Sequence, residues 1–422
     1  TFVGTSAFYG FKNFRILGLN VAVWLLIPLF VSFVIHNRKL FWYANRTQRK
    51  IIKNLFLFSA FSLLMGIFNY AINDNGFAAA SGSLAKFGEE LYSYGLPLIE
   101  LCIGIWITTV FNERNNVIKE YLYSIIISQA IVFVFCLAFH NYGNRGGLAS
   151  LQVSDVYFLL VAAPLLLFYD EFSKIEKITV GISGVIILFL SLIYNASGKI
   201  VLTAILIPLI GVVIYFQRGN SVKTIMGVIG ALIVISFIVT ILLPRLIENN
   251  QLLTTKFIQV KALLGFGSNW FINLPSSPRI RIAEVLNILY ELISKPWNLP
   301  LGKGICGTIT DKLNLFTELN TFVFPEWELQ AGAYYSMHES FSEFLLTGGI
   351  FGIYTYIQVC VVYFKKLYRS PWLVFGLIWF MLFYSYHLTI GIYGIVCFCV
   401  GLFDITNNEY EGELNADKIV QK

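Results

Sequence analysis

The sequence predicts an all-α, polytopic integral membrane protein, and three observations carry that prediction. First, 57% of the 422 residues are hydrophobic, 16% aromatic and only 13% charged, whereas an average soluble domain carries roughly 25% charged residues. Second, apolar runs long enough to cross a bilayer, about 17 to 25 residues each, recur along the chain with short polar interruptions. Third, Lys and Arg alternate in abundance from one connection to the next, as they do when cytoplasmic loops collect the basic residues. A water-soluble globular domain is excluded by the first observation alone.

The apolar runs place eleven spans near 16–35, 54–73, 94–111, 121–139, 153–169, 178–194, 200–216, 224–243, 341–364, 371–386 and 388–403. The connections 36–53, 112–120, 170–177, 217–223 and 365–370 hold fifteen basic residues, and the intervening set holds five. The basic set is therefore cytoplasmic, and the long connection 244–340 lies outside. The chain reads as an N-terminal bundle of about eight spans over 1–243, an outer loop over 244–340, about three spans over 341–403 and a polar, acidic cytoplasmic tail over 404–422. Within the outer loop, 254–264 ("TTKFIQVKALL") and 281–293 ("RIAEVLNILYELI") place apolar residues at i, i+3, i+4 and i+7. That spacing predicts amphipathic helices lying on the membrane or on the bundle. The chain opens on Thr1 in place of Met, as a processed or incomplete N-terminus would.

Six cysteines, Cys102, Cys136, Cys306, Cys360, Cys397 and Cys399, mostly inside apolar segments, indicate neither a disulfide framework nor a metal site. Chemistry-bearing residues gather on the outer face. His338 in "YYSMHESFSEFLLTGGIFG" stands where the outer loop enters the ninth span. It is either an interfacial residue bonded to backbone or a group that takes or positions a hydroxyl proton. His36, His140 and His387 also lie near span ends, so position alone does not distinguish His338. Gly348, Gly349 and Gly352 form a helix-packing notch. Glu343 and Glu100 are the acids deepest in apolar runs, each functional or paired for structure. Arg145, Lys199, Arg279 and Arg281 are the outer basic residues. Brought together they suit a diphosphate, and apart they merely touch anionic headgroups.

Two patterns are set aside. "GKGICG" (302–307) matches G-x-G-x-x-G but follows a helix and proline pair in place of a strand, so it reads as a turn. "EWE" (326–328) offers two carboxylates without a D-x-D or His cluster, so no metal ligand set is indicated.

Taken in order, "NRGGLASLQVSD", "NASGKIVLTA", "RIAEVLNILYELISKPWNLPLGKGICG" and "HESFSEFLLTGGIFG" resemble the O-antigen polymerase and O-antigen ligase superfamily of bacterial envelope enzymes over roughly residues 130–365. In that family an outer-loop Arg begins a helix, a Pro and a glycine-rich turn follow, and a His precedes a span with a G-x-x-G notch. Here Arg281 and Pro296 are fifteen residues apart, and His338 and Gly349 eleven. The sequence departs from the pattern at Glu339, where relatives often carry an amide, and at Lys199, where an Arg is common.

The resemblance implies a GT-C-like fold of about eleven to twelve spans in the bacterial inner membrane, with the active site facing the periplasm. It implies a glycosyltransferase without cofactor, nucleotide sugar or metal ion. Donor and acceptor are undecaprenyl-diphosphate-linked oligosaccharides. Membrane lipid and a chain-length regulator protein are further expected partners, and nucleic acid is not one. The implied roles are His338 and Arg281 in catalysis, Arg145, Lys199, Arg279 and Arg281 on the diphosphate, and Glu339, Glu343 and Tyr335 in support or on the acceptor. Aromatics in the loop (Trp270, Trp297, Trp327, Tyr334 and Tyr335) favour a polymerase over a ligase that must grip a phosphate-rich lipid A core. Two other classes remain open. One is a lipid-linked glycan flippase. The other is a transferase using a polyprenyl-phosphate monosaccharide and a first-loop carboxylate among Asp74, Glu89 and Glu90.

Overall fold

Asn45 and Gln48 start the first long helix reciprocally. The Asn45 side chain accepts the Gln48 N–H at 2.8 Å, and the Gln48 side chain accepts the Asn45 N–H at 3.0 Å, a capping box that satisfies two donors at the helix end. In a computed structural model of the chain, the described residues are chiefly 44–72, 84–110, 276–316 and 324–367, with short pieces elsewhere that include 15–16, 19–20, 173–179 and 396–398. Apart from a minimal antiparallel pairing of β1 (Arg15–Ile16) with β2 (Leu19–Asn20), the named elements are helices. They are α1 (Arg46–Ala71), α2 (Leu84–Val110), α3 (Ser276–Ser294), α4 (Asn298–Leu301), α5 (Glu326–Ala331) and α6 (Ser340–Leu367).

Among the described residues two helical stretches, Arg46–Ala71 and Ser340–Tyr363, are by length and composition apolar enough to cross a membrane, the second interrupted at Gly349, and Ser93–Trp106 within α2 is a shorter apolar one. Helices α1 and α2 correspond to the expected second and third spans, each beginning earlier than the apolar run. The expected span over 16–35 opens instead on the β1–β2 pairing. Most of the remaining expected spans, the loop helix over 254–264 and the tail over 404–422 lie outside the described residues.

Helix α1 buries Ile51, Leu55 and Phe58 but also polar side chains, and in its apolar stretch it leaves large hydrophobic residues outside. Phe56, Leu64, Ile67 and Phe68 are exposed, while Gln48, Ser62 and Asn69 are buried. Apolar residues outward and polar residues inward suit a hydrocarbon surrounding, where polar groups find partners only within the protein.

The chain divides into two compact units. One comprises Thr1–Leu29, Glu113–Leu274 and Leu367–Trp379. Its described residues include the β1–β2 pairing and a helical turn after Ser173, whose N–H donates to Glu176 at 2.8 Å. The other comprises Phe30–Asn112, Pro275–Lys366 and Phe380–Lys422. It holds α1 to α5 and α6 through Lys366.

Helix α6 is not the continuous span expected over 341–364. It breaks at Gly349, whose φ of 56° and ψ of −141° lie outside helical values. The break folds the first segment back on the second. The Phe344 and Tyr356 rings are 5.3 Å apart, although twelve residues of straight helix extend about 18 Å. A break strands carbonyls that a helix would have satisfied internally. Here the 302–306 turn supplies the missing donors, as the Lys303 N–H reaches the Leu346 carbonyl at 2.7 Å and the Gly304 N–H reaches that of Thr347 at 3.1 Å. The glycine pair therefore does more than form the expected notch. Gly349 takes the left-handed backbone, and Gly348 clears the Phe58 ring, which a Cβ there would approach to 2.4 Å.

The same turn packs on α1. The Ile305 N–H donates to the Ser62 carbonyl at 2.8 Å, and the Asn69 amide donates to Asn298 at 3.2 Å and to the Lys303 carbonyl at 3.1 Å. Within that turn the buried Lys303 sends its Nζ to Glu291 of α3 at 3.2 Å. Lys303→Met would leave the largely buried Glu291 facing the more distant, partly exposed Lys295 at 4.0 Å, and removing one partner of a buried pair costs up to about 3 to 5 kcal/mol. Thermal denaturation in detergent should register that loss, and an unchanged melting temperature would contradict the pairing.

Below the turn, Ile280, Ala283, Ile288 and Leu292 of α3 pack with Leu345 and Leu346 of α6 and with Phe316, Phe324, Tyr334 and Met337. Phe324 and Tyr334 rings lie 4.6 Å apart. A backbone bridge between Ile309 and Tyr334, at 2.8 and 2.9 Å, ties the segment before His338 to the loop.

Candidate functional site

Arg281 and Glu284 are three residues apart on α3, so both project to one side of the helix. The segment 335–339 approaches that side because α5 holds it. Buried Glu328 accepts the N–H groups of Tyr335 at 3.1 Å and Ser336 at 3.3 Å, and also the Ser336 hydroxyl. Two acid–base pairs result. The fully buried Glu284 carboxylate accepts the His338 N–H at 3.1 Å through one oxygen and meets His338 Nδ1 through the other. Beside it, Arg281 Nε and Glu339 Oε1 are 2.8 Å apart, an ion pair whose alignment falls short of a hydrogen bond. The Phe324 ring meets the imidazole edge-on at 5.5 Å. Both pairs are nearly shut from solvent, with side-chain exposures of 11% and 8% for Arg281 and Glu339 and of 10% for His338.

A carboxylate bonded to both the backbone and Nδ1 of one histidine fixes the ring and its tautomer, leaving Nε2 as the nitrogen that exchanges a proton. The pairing has the arrangement in which an acid orients a histidine. Burial pushes the Glu328 carboxyl up from 4.5, opposed by its bonds to Ser336 and Tyr335 and by the charge of His338. A raised carboxyl favours the folded state at acid pH and loses that contribution as pH rises through its folded value. Glu328→Gln should therefore flatten the fall in stability as pH rises from 4.5; a melting-temperature profile parallel to wild type over that range would contradict the assignment.

The arrangement joins some of the sequence-predicted residues and not others. His338, Arg281 and Glu339 meet. Arg279 stands two residues from Arg281 on α3, a spacing that turns it toward a different face of the helix. Arg145 and Lys199 lie outside the described residues. Glu343 lies in the first turn of α6, its N–H donating to the Glu339 carbonyl at 2.9 Å. Tyr335 is bound through its N–H to Glu328, and its ring is 5.2 Å from that of Trp327. Glu100 is buried on α2.

Sequence reasoning missed Glu284 and Glu328. A signal for Glu284 existed in its i+3 spacing from Arg281, and Glu328 was half of the "EWE" pattern set aside as a metal motif. Among the described residues no group of three His, Cys, Asp or Glu side chains could hold a metal ion. An open groove of about 530 Å³ lined by Arg46, Arg49, Lys50, Ile52, Lys53 and Phe56 lies at the start of α1 and contains none of these residues.

No family model matches the chain, and no curated protein matches it.

Proposed function

We propose that this chain is a polytopic bacterial inner-membrane glycosyltransferase resembling the O-antigen polymerases and ligases, and that it polymerises undecaprenyl-diphosphate-linked oligosaccharides at the periplasmic face. One observation carries the reading. The outer-loop Arg and the pre-span His of the ordered sequence pattern, Arg281 and His338, stand in adjacent buried pairs with Glu339 and Glu284.

The chemistry asked of such a site is modest, because a lipid diphosphate is already a good leaving group. The acceptor hydroxyl oxygen bonds to the anomeric carbon of the donor, and the bond from that carbon to the diphosphate oxygen breaks. The hydroxyl proton passes to His338 Nε2, and the bonding electron pair departs with the diphosphate. Glu284 keeps the imidazole aimed at the hydroxyl and stabilises the imidazolium that forms. Arg281 stabilises the charge developing on the leaving diphosphate, exchanging its Glu339 carboxylate for phosphate oxygens, with Arg145 and Lys199 as further expected donors. One-step displacement inverts the anomeric configuration.

Incubating the purified protein with a defined undecaprenyl-diphosphate oligosaccharide, with and without lipid A core, tests the reading. A ladder of longer lipid-linked glycans with inverted linkages supports it. Transfer only in the presence of core shows a ligase. Transport across proteoliposomes without change of length overturns glycosyl transfer, and retained configuration overturns the one-step mechanism.

A further inference from the structure

We infer that α3, although part of the long outer loop in sequence, lies against the hydrocarbon of the bilayer, with Leu286, Tyr290, Ile293 and Trp297 in contact with acyl chains. These four side chains are between 42% and 63% exposed. Their spacing of four, three and four residues places them in one stripe along α3 and just beyond it. The opposite side of α3 is buried and rich in polar groups. Glu284 holds His338, Asn287 donates to Asp311 at 3.0 Å, and Glu291 meets Lys303.

A loop helix surrounded by water buries its apolar side and exposes its polar one. Helix α3 instead presents an apolar stripe on its exposed side while burying Ile280, Ala283, Ile288 and Leu292 together with its polar groups. The occupant is identified by continuity with the exposed face of the apolar segment of α6 beyond its break. On α6, Ile350, Tyr354, Ile357 and Val361 repeat the same spacing at between 43% and 59% exposure. The two stripes adjoin at the break in α6, because a Cβ on Gly349 would come within 2.3 Å of the Leu299 carbonyl oxygen, two residues past Trp297. The depth of that junction is set by α1. Ser62 and Asn69, which bond Ile305 and Asn298, lie within the stretch 54–71 that contains no Asp, Glu, Lys or Arg. Tyr290 and Trp297, the aromatic residues on either side of Ile293 in the stripe, also suit the boundary between acyl chains and headgroups.

The consequence concerns the site. Glu284–His338 and Arg281–Glu339 stand on the protein side of a helix whose other side touches lipid, so they are about one helix diameter, roughly 10 Å, from the hydrocarbon.

The inference stands apart from glycosyl transfer and is tested without it. Nitroxide labels placed by Tyr290→Cys and Ile293→Cys, in the full chain with its six native cysteines replaced by alanine and reconstituted in phosphatidylglycerol–phosphatidylethanolamine vesicles, report collisions with oxygen and with a water-soluble nickel chelate. The expected ratio favours oxygen and resembles that of Ile357→Cys on α6. A ratio favouring the nickel chelate, like that of the exposed Lys312→Cys, overturns the inference. In the chain with native cysteines, a benzophenone side chain at 290 or 293 should form adducts with phospholipid as it does at 357. Absence of lipid adducts at 290 and 293, with adducts present at 357, overturns it independently of the cysteine background.

Discussion

Glu284→Gln should slow glycosyl transfer about a hundred-fold or more, the scale of losing a positioned general base, while leaving the protein folded. The neutral amide keeps the shape of the carboxylate but loses half its accepting capacity. Glu284 now serves two donors with two oxygens, the His338 N–H at 3.1 Å and the ring Nδ1. Gln offers one oxygen and turns an N–H₂ toward the other partner. If that partner is Nδ1, the ring must present its lone pair there and carry its proton on Nε2, which can then no longer accept one from the acceptor. Because Glu284 acts through the histidine, the double variant Glu284→Gln/His338→Ala should be no slower than His338→Ala alone. Multiplying effects in the double variant would show that Glu284 does not act through His338.

A second large effect is expected on folding. Gly304 has φ of +79°, and a Cβ there would come within 2.0 Å of the Gly66 backbone nitrogen and 2.4 Å of the Ser62 carbonyl oxygen. Neither neighbour is a flexible side-chain end; both are the backbone of α1. Gly304→Ala thus adds the strain of a left-handed non-glycine residue, about 1 to 3 kcal/mol, to an overpacking cost of about 1 to 3 kcal/mol. Gly332, the C-cap of α5, separates the two terms. Its φ is +60°, but a Cβ there would meet nothing within 4 Å. Gly332→Ala should therefore show the conformational cost alone, and its melting temperature should fall less than that of Gly304→Ala. Equal shifts would mean that the turn does not pack against α1 as described.

Particular residues mark what could be read in the sequence. The helix over 281–293 was legible because its apolar residues follow the helical period, and α3 contains it. Arg281 and His338 were singled out by their order along the chain, and the fold sets them in neighbouring acid–base pairs. Glu284 was not, since an acid on the polar side of an amphipathic helix looks the same whether it faces water or a histidine fifty-four positions away. Glu339, an oddity against the resembling family, acquires a physical role as the carboxylate paired with Arg281. Gly348–Gly349 read as a packing notch because close approach and a left-handed backbone call for the same residue. The choice between them was made by Lys303 and Gly304, whose N–H groups cap the broken helix. The glycine-rich segment 302–307 read as a turn from its context and folds as one, with Lys303 buried beside Glu291.

The central claim is that the paired residues on α3 and before α6 perform glycosyl transfer. It is tested most directly by the single-turnover rate of purified wild-type, His338→Ala and Arg281→Ala proteins on one defined undecaprenyl-diphosphate oligosaccharide. Loss of an electrostatic partner in a reaction site typically costs about a hundred- to a thousand-fold, and a loss of that size is expected in each variant with its melting transition retained. Elongation by either folded variant at the wild-type rate would contradict the account.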